Sequence, residues 1–288
     1  MNSLLKNLLK TVVHSKNRNK INHIKRHIVN SLKHSKALTI DEMRCFLTKD
    51  LGLKEGDKIV VSSSFGNLNA NFSPTELITL LMDIVGNDGI IMMPFYPPLS
   101  STEWALKREV FDVRTIKSGM GVVTNVFAHM PGVVMSCHPT KAVCVWGKDA
   151  EEIIKDHDKS TTPFYWDSPY GRFLKMHSKS IGLGVKNITT MHAIEDILSV
   201  PHDYYYQHNK YELEFVDSAG QKHIISTLIH DDDIMNNCVS PGDYVKSLNC
   251  KTYKRIDLGY KYAYVIDNDD LFETCEQHFK NGHTRFKK

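Results

Sequence analysis

No apolar run in this 288-residue chain approaches the ~20 residues that a membrane-spanning helix needs. A signal-peptide core is missing too, because Lys6, Lys10 and Lys16 interrupt the N-terminal stretch. The six cysteines (Cys45, Cys137, Cys144, Cys238, Cys250 and Cys275) form no CxxC pair. In a chain of this length they read as free thiols in a reducing compartment, which argues against a disulfide framework or a zinc site. We find no metal-ligand cluster, no nucleoside-triphosphate loop and no nucleophile elbow, and a net charge of +3 gives no argument for nucleic-acid binding. The cytoplasm is the expected location.

Acidic residues are also missing where they would be most conspicuous. Residues 1–36 hold nine Lys/Arg, four His and no Asp or Glu, whereas the remainder carries 27 basic and 33 acidic residues. Leucines, isoleucines and valines recur there at a patchy helical period, so residues 1–38 read as a basic amphipathic leader. It either docks on its own domain or a second subunit, or attaches to a partner or to an anionic membrane surface such as the inner membrane. Residues 39–288 show no repeat, linker or composition break and read as one domain.

What is present is well punctuated. Thr39–Glu42 is a capping box opening a helix that Gly52 can close. Lys58–Ser62 is short and β-branched, a buried strand; Ser73–Glu76 is a second capping box with Pro74 at the first helical position; Gly89–Pro94 is the next strand. Strand, helix, strand begins a sheet with a parallel portion. A helix near Gly121–Met130 and strands at Ala142–Trp146 and Ser180–Val185 continue the alternation. Tyr211–Val216 and Lys222–Ile229 look antiparallel, and a helix near Asp269–Phe279 ends the fold.

Four stretches are candidates for chemistry. Ser62, Ser63 and Ser64 leave a strand at the end where open α/β sheets bind ligands, or simply form a polar turn. Lys117, Ser118, Gly119 and Gly121 stand at a helix entry, with Arg114 and Lys117 adding charge, and unpaired N–H groups there favour an anion. His138, before Pro139, is a ligand contact or a turn residue. In Thr189–Glu195 a threonine caps a helix that sets His192 and Glu195 at i, i+3 on one face. That pair either orients an imidazole or has no duty on a helix surface. Asp203 and Glu212 follow at a distance useful for a triad, and Glu212, opening a later strand, is able to reach back.

In order, these stretches resemble the aminoglycoside 3-N-acetyltransferase (antibiotic N-acetyltransferase) family from Gly56 to about Val216. The matching pieces are Gly56-Asp57 into the strand and Ser pair, Gly86 to Pro94, Phe111-Asp112, Ser118 to Gly121 and Ser136 to Pro139. Ser168-Pro169, Gly182 to Val185, Thr189 to Glu195 and Tyr211-Glu212 complete the series. The resemblance implies a three-layer αβα sandwich around a mixed sheet, acetyl-CoA as donor and a small-molecule amine as acceptor. It implies His192 as general base, Glu212 as its carboxylate partner with Glu195 close by, and a coenzyme side built from Ser62, Ser63, Ser64, Lys117, Ser118, Gly119, Gly121 and His138. Two departures stand out. Ser62 occupies the place where the family usually has His, and the stretch between His192 and Glu212 is longer than the family spacing.

The chemistry suits these groups. Acetyl transfer from a thioester needs a neutral amine, and an imidazole is the natural proton acceptor near neutral pH. Tyr204–Tyr206 and Tyr211 would stack on sugar faces, while Glu195, Asp196 and Asp203 are carboxylates for a cationic acceptor. An amino sugar is therefore the expected acceptor, in a glycan precursor or an aminoglycoside. The competing readings are a coenzyme A- or sugar-binding protein that has lost the chemistry, and a hydrolase that uses water as acceptor.

Overall fold

A computed structural model describes residues 36–258 and 262–286. The basic leader lies outside the described residues up to residue 35. Among the described residues no helix is long and apolar enough to cross a membrane.

Both capping boxes form: Thr39 and Glu42 close on each other at α1 (Ile40–Cys45), and Ser73 and Glu76 do so at α2 (Pro74–Val85). Gly52 and Gly86 take the left-handed φ that ends each segment, at +74° and +64°. Strands β1 (Lys58–Ser63) and β2 (Ile90–Pro94) pair in parallel, as the strand-helix-strand order requires. After α3 (Ser101–Lys107), β3 (Phe111–Asp112), α4 (Val122–Phe127) and β4 (Val133–Met135), strand β5 (Val143–Gly147) turns back antiparallel to β2. Then come α5 (Ala150–Ile154), α6 (Pro169–Leu174), β6 (Lys179–Leu183) and α7 (Thr190–Ile197). Strand β6 lies parallel to β1 on the side away from β2.

The antiparallel pair β7 (Tyr211–Val216) and β8 (Lys222–Thr227) joins β3 in a small sheet of its own, not the main one. Helices α8 (Asp232–Asn237) and α9 (Pro241–Leu248) precede β9 (Lys254–Asp257) and β10 (Tyr262–Asp267). Strand β10 adds to β6 antiparallel, and α10 (Asn268–Lys280) follows. The main sheet has the order β4-β5-β2-β1-β6-β10-β9 and is mixed.

Successive strand residues feed two cores, as a sheet covered on both faces requires. Ile59, Val61, Ile91 and Met93 pack with α2 and the small sheet, while Val60, Met92, Val143 and Val145 pack with α5, α6, α7, α9 and α10. The result is three layers. Asp57, of the Gly-Asp step, receives Lys179 Nζ at 2.8 Å on each oxygen and ties β1 to β6 at their amino ends. Gly182 lies opposite Tyr264 on β10, where a Cβ would come within 1.9 Å of the ring. That glycine of the Gly182–Val185 stretch serves strand packing.

Candidate active site

The carboxyl ends of β1 and β6 adjoin, and the chain leaves them in opposite directions, towards β2 from one and towards β10 from the other. This is the switch point at which open α/β sheets take ligands. Four elements converge there. Ser62 Oγ and Thr189 Oγ1 lie 3.2 Å apart and fasten the start of α7 to β1. A Cβ on Gly184, just past β6, would approach the Ser64 carbonyl oxygen to 2.9 Å, and one on Gly121, at the start of α4, would face that of Ser63 at 3.9 Å.

His192 sits in the first turn of α7, with Glu195 one turn on. Far from being a surface pair, both are buried, Glu195 completely. Imidazole Nδ1 is 3.5 Å from Glu195 Oε2. Behind them stands Arg285, 1% exposed, from the segment after α10. It donates from Nε to Glu195 Oε1 at 2.5 Å and from Nη2 to Oε2 at 3.0 Å, and Nη2 also lies 3.3 Å from His192 Nδ1. A guanidinium only donates, so Nδ1 has a donor on one side and an acceptor on the other at nearly equal range. With its proton towards Glu195, the lone pair is on Nε2. Among the described residues no protein group bonds Nε2.

Burial sets the electrostatics. Loss of hydration pushes His192 down to about 4, with Glu195 opposing that shift and Arg285 adding to it. Burial works to raise the Glu195 pKa, but Arg285 and His192 outweigh it and hold the carboxylate below its ordinary range. His192 is therefore neutral at physiological pH, and the ion pair behind it is Glu195 with Arg285. The ring packs against Phe164 at 5.2 Å and against His230 at 4.8 Å between centroids. A hollow of about 310 Å³ opens beside Ile234, Cys238 and Phe286, and Cys238 Sγ is 2.8 Å from Arg285 Nη1.

The other expected site residues divide. Glu212 is exposed on β7 across from Ser226, so the carboxylate the structure brings to His192 is Glu195. Thr189 makes no side-chain cap; its hydroxyl is used on Ser62. Ser118 is buried, its hydroxyl donating to the Tyr96 carbonyl and its N–H to Asn125. Gly119 passes so close to Pro97 and Pro98 that a Cβ would meet them within 3 Å. His138 is 1% exposed, its Nδ1 accepting the N–H groups of Thr140 and Lys141 and its Nε2 facing Thr227 Oγ1 at 3.3 Å. Arg114 is tied to Asp112. Ser63 and Ser64 are half-buried, and Lys117, Gly119 and Gly121 are exposed, which leaves these five able to meet a ligand from solvent.

The aromatic and acidic residues expected for a sugar are largely used internally. The hydroxyls of Thr162, Tyr205 and Tyr206 all donate to Asp196, which is 1% exposed. Burial raises that carboxyl to about 6, against those three hydrogen bonds. Sequence reasoning missed Arg285, Lys141 and His230. Arg285 lies 90 positions from Glu195, and nothing local marks it.

The aminoglycoside 3-N-acetyltransferase family profile matches residues 60–280. The chain belongs to this family. The match takes in His192, Glu195, Lys141 and His230 and stops short of Arg285. A curated relative, aminoglycoside N(3)-acetyltransferase IV from Salmonella sp., is 31% identical over 158 residues, 53% of this chain and 57% of that protein's length. Among solved structures, a point mutant of aminoglycoside acetyltransferase AAC(3)-IVa in complex with a gentamicin is similar with a TM-score of 0.69 at 25% identity, over 86% of this chain and 90% of that one. AAC-IIIb, solved as a binary complex with CoASH, shares the fold with a TM-score of 0.68 at 18% identity, over 87% and 99%.

Proposed function

We propose that this protein is an acetyl-CoA-dependent N-acetyltransferase acting on a primary amine of an amino sugar. The observation that carries the reading is a neutral imidazole, His192, backed by Glu195 and Arg285 and open at Nε2, where β1 and β6 end. The family and the gentamicin- and CoASH-bound relatives support the same donor and acceptor classes.

The coenzyme supplies the acetyl group as an activated thioester. The acceptor nitrogen forms a bond to the acetyl carbon and the carbon–sulfur bond breaks. His192 Nε2 takes the proton that the nitrogen loses and returns it to the departing sulfur, so the imidazole ends as it began. Glu195 stabilises the imidazolium in between, and Arg285 holds the carboxylate in place. Base assistance of this kind is worth ~10²–10⁴-fold, and alignment of the two substrates contributes comparably. Half-buried Ser63 and Ser64 with exposed Gly121 and Lys117 form the surface on which the coenzyme side would rest. We place the reaction in the cytoplasm, consistent with six free cysteines.

Ser62 supports a second reading, a binding protein without turnover, because this residue replaces the usual histidine and its hydroxyl is engaged by Thr189. A screen of amines with acetyl-CoA, following thiol release and the mass of the product, separates the two. Release that depends on the amine, with an acetylated product, supports the transferase. Coenzyme binding without release overturns it, and release independent of any amine assigns a hydrolase.

A further inference from the structure

The carboxyl edge of the sheet holds two buried polar side chains that the mechanism above does not use. Lys141 precedes β5, beside the end of β2, where the Ala142 carbonyl accepts the N–H of Phe95. Lys141 is 8% exposed. Its Nζ lies 4.7 Å from the centre of the Tyr96 ring and, among the described residues, makes no ion pair. His230 follows β8, is 4% exposed and stacks on Phe164 with its ring 4.8 Å from that of His192. Its Nε2 is buried and, among the described residues, has no hydrogen-bond partner.

Both arrangements are costly. A buried ammonium is normally paired, and a buried ring nitrogen is normally hydrogen-bonded. Burial accordingly pushes Lys141 down to about 8, with Asp232 opposing the shift. Lys141 also disfavours protonation of His138, His192 and His230, so its charge is felt across the whole centre. Three of the nearby carboxylates are taken, Glu195 by Arg285, Asp196 by three hydroxyls, and Asp232 in part by Ser100, while Asp233 faces the hollow beside Phe286 and lies apart from Lys141 and His230 in that lining.

We propose that Lys141 and His230 form an anion-accepting subsite beside His192, and that the acceptor amine of this enzyme carries a carboxylate or phosphate which that subsite takes. The proposal rests on the transferase reading and narrows its acceptor. An anion arriving here gives Lys141 its missing counter-charge and the His230 N–H an acceptor. The phosphates of a coenzyme thioester lie a full pantetheine arm away from its carbonyl, so they are not the group this subsite meets.

The test uses the full chain and three acceptors: glucosamine, glucosamine 6-phosphate and gentamicin. The wild type should prefer the phosphate-bearing sugar over glucosamine by at least ~10-fold in kcat/KM, the worth of one charge-assisted contact. In Lys141→Met that preference should collapse through a raised KM, with folding checked by thermal melting. Inorganic phosphate should inhibit the wild type competitively against the acceptor, a readout that survives if the variant fails to fold. Gentamicin turned over better than glucosamine 6-phosphate overturns the proposal. So does a Lys141→Met loss confined to kcat and equal on all acceptors, which would assign Lys141 to the transition state. Activity on neutral or polycationic amines without the preference removes the subsite alone; thiol release with no amine at all removes the transferase reading with it.

Discussion

Among the described residues two histidine clusters lie buried, and burial depresses the pKa in both. In the first, every ring nitrogen has a partner. His157 accepts from Ser136 Oγ at 2.8 Å on Nδ1 and donates from Nε2 to the Pro163 carbonyl at 3.0 Å, while His138, 4.8 Å away, is bonded at both nitrogens. In the second, among the described residues, no protein group bonds Nε2 of either His192 or His230, and a buried guanidinium–carboxylate pair stands behind one of them. Depth and pKa direction do not separate the clusters. Hydrogen-bond satisfaction does. A buried imidazole with both nitrogens used is part of the framework, whereas one with a nitrogen to spare has capacity for a substrate.

The contrast breaks most directly at His192. His192→Ala should lower kcat by ~10²–10⁴-fold with the KM for acetyl-CoA little changed, as steady-state kinetics would read; normal turnover would erase the distinction between the clusters. Next is Arg285→Gln, which strands a buried carboxylate. We expect a loss of about 3–5 kcal/mol of stability by denaturant titration, with kcat reduced in the folded fraction. Glu195→Gln should reduce kcat more than Glu212→Gln does, since only Glu195 adjoins the imidazole; the opposite order would return the partner role to Glu212. In the framework cluster, His157→Ala should cost about 1–3 kcal/mol in a melt while the folded fraction keeps its kcat within a few-fold.

The remaining prediction concerns pH dependence, which touches both clusters at once. His157 and His192 titrate near 4 when folded, against 6.5 for a free imidazole, so the unfolded chain binds more protons between those values. The stability they contribute is fully present above about 6.5 and is lost as pH falls towards 4. Melts across that window should show a falling Tm. For the same reason kcat/KM should show no inflection near 6.5, and one there would place His192 in a more hydrated setting.

Much of the frame was legible in advance for local reasons. The capping boxes at Thr39 and Ser73 act within four residues, and short β-branched runs such as Lys58–Ser62 do not need distant partners to be recognised. The spacing of His192 and Glu195 likewise guaranteed a shared helix face once the helix formed. Roles that depend on partners far along the chain were not legible. Ser118 and His138 look like ligand residues in a motif but are used on Tyr96, Asn125, Thr140 and Thr227. Tyr205 and Tyr206 look like a sugar platform, but their hydroxyls hold Asp196.

By itself, the sequence determined the alternation of elements, the parallel start of the sheet and the i, i+3 placement of an imidazole beside a carboxylate, because each follows from short-range geometry and side-chain period. Only the tertiary structure decided which carboxylate adjoins His192, that Arg285 closes the pair from 90 positions away, and which buried nitrogens are left unsatisfied. Those are questions of three-dimensional proximity and desolvation, and no spacing along the chain encodes them.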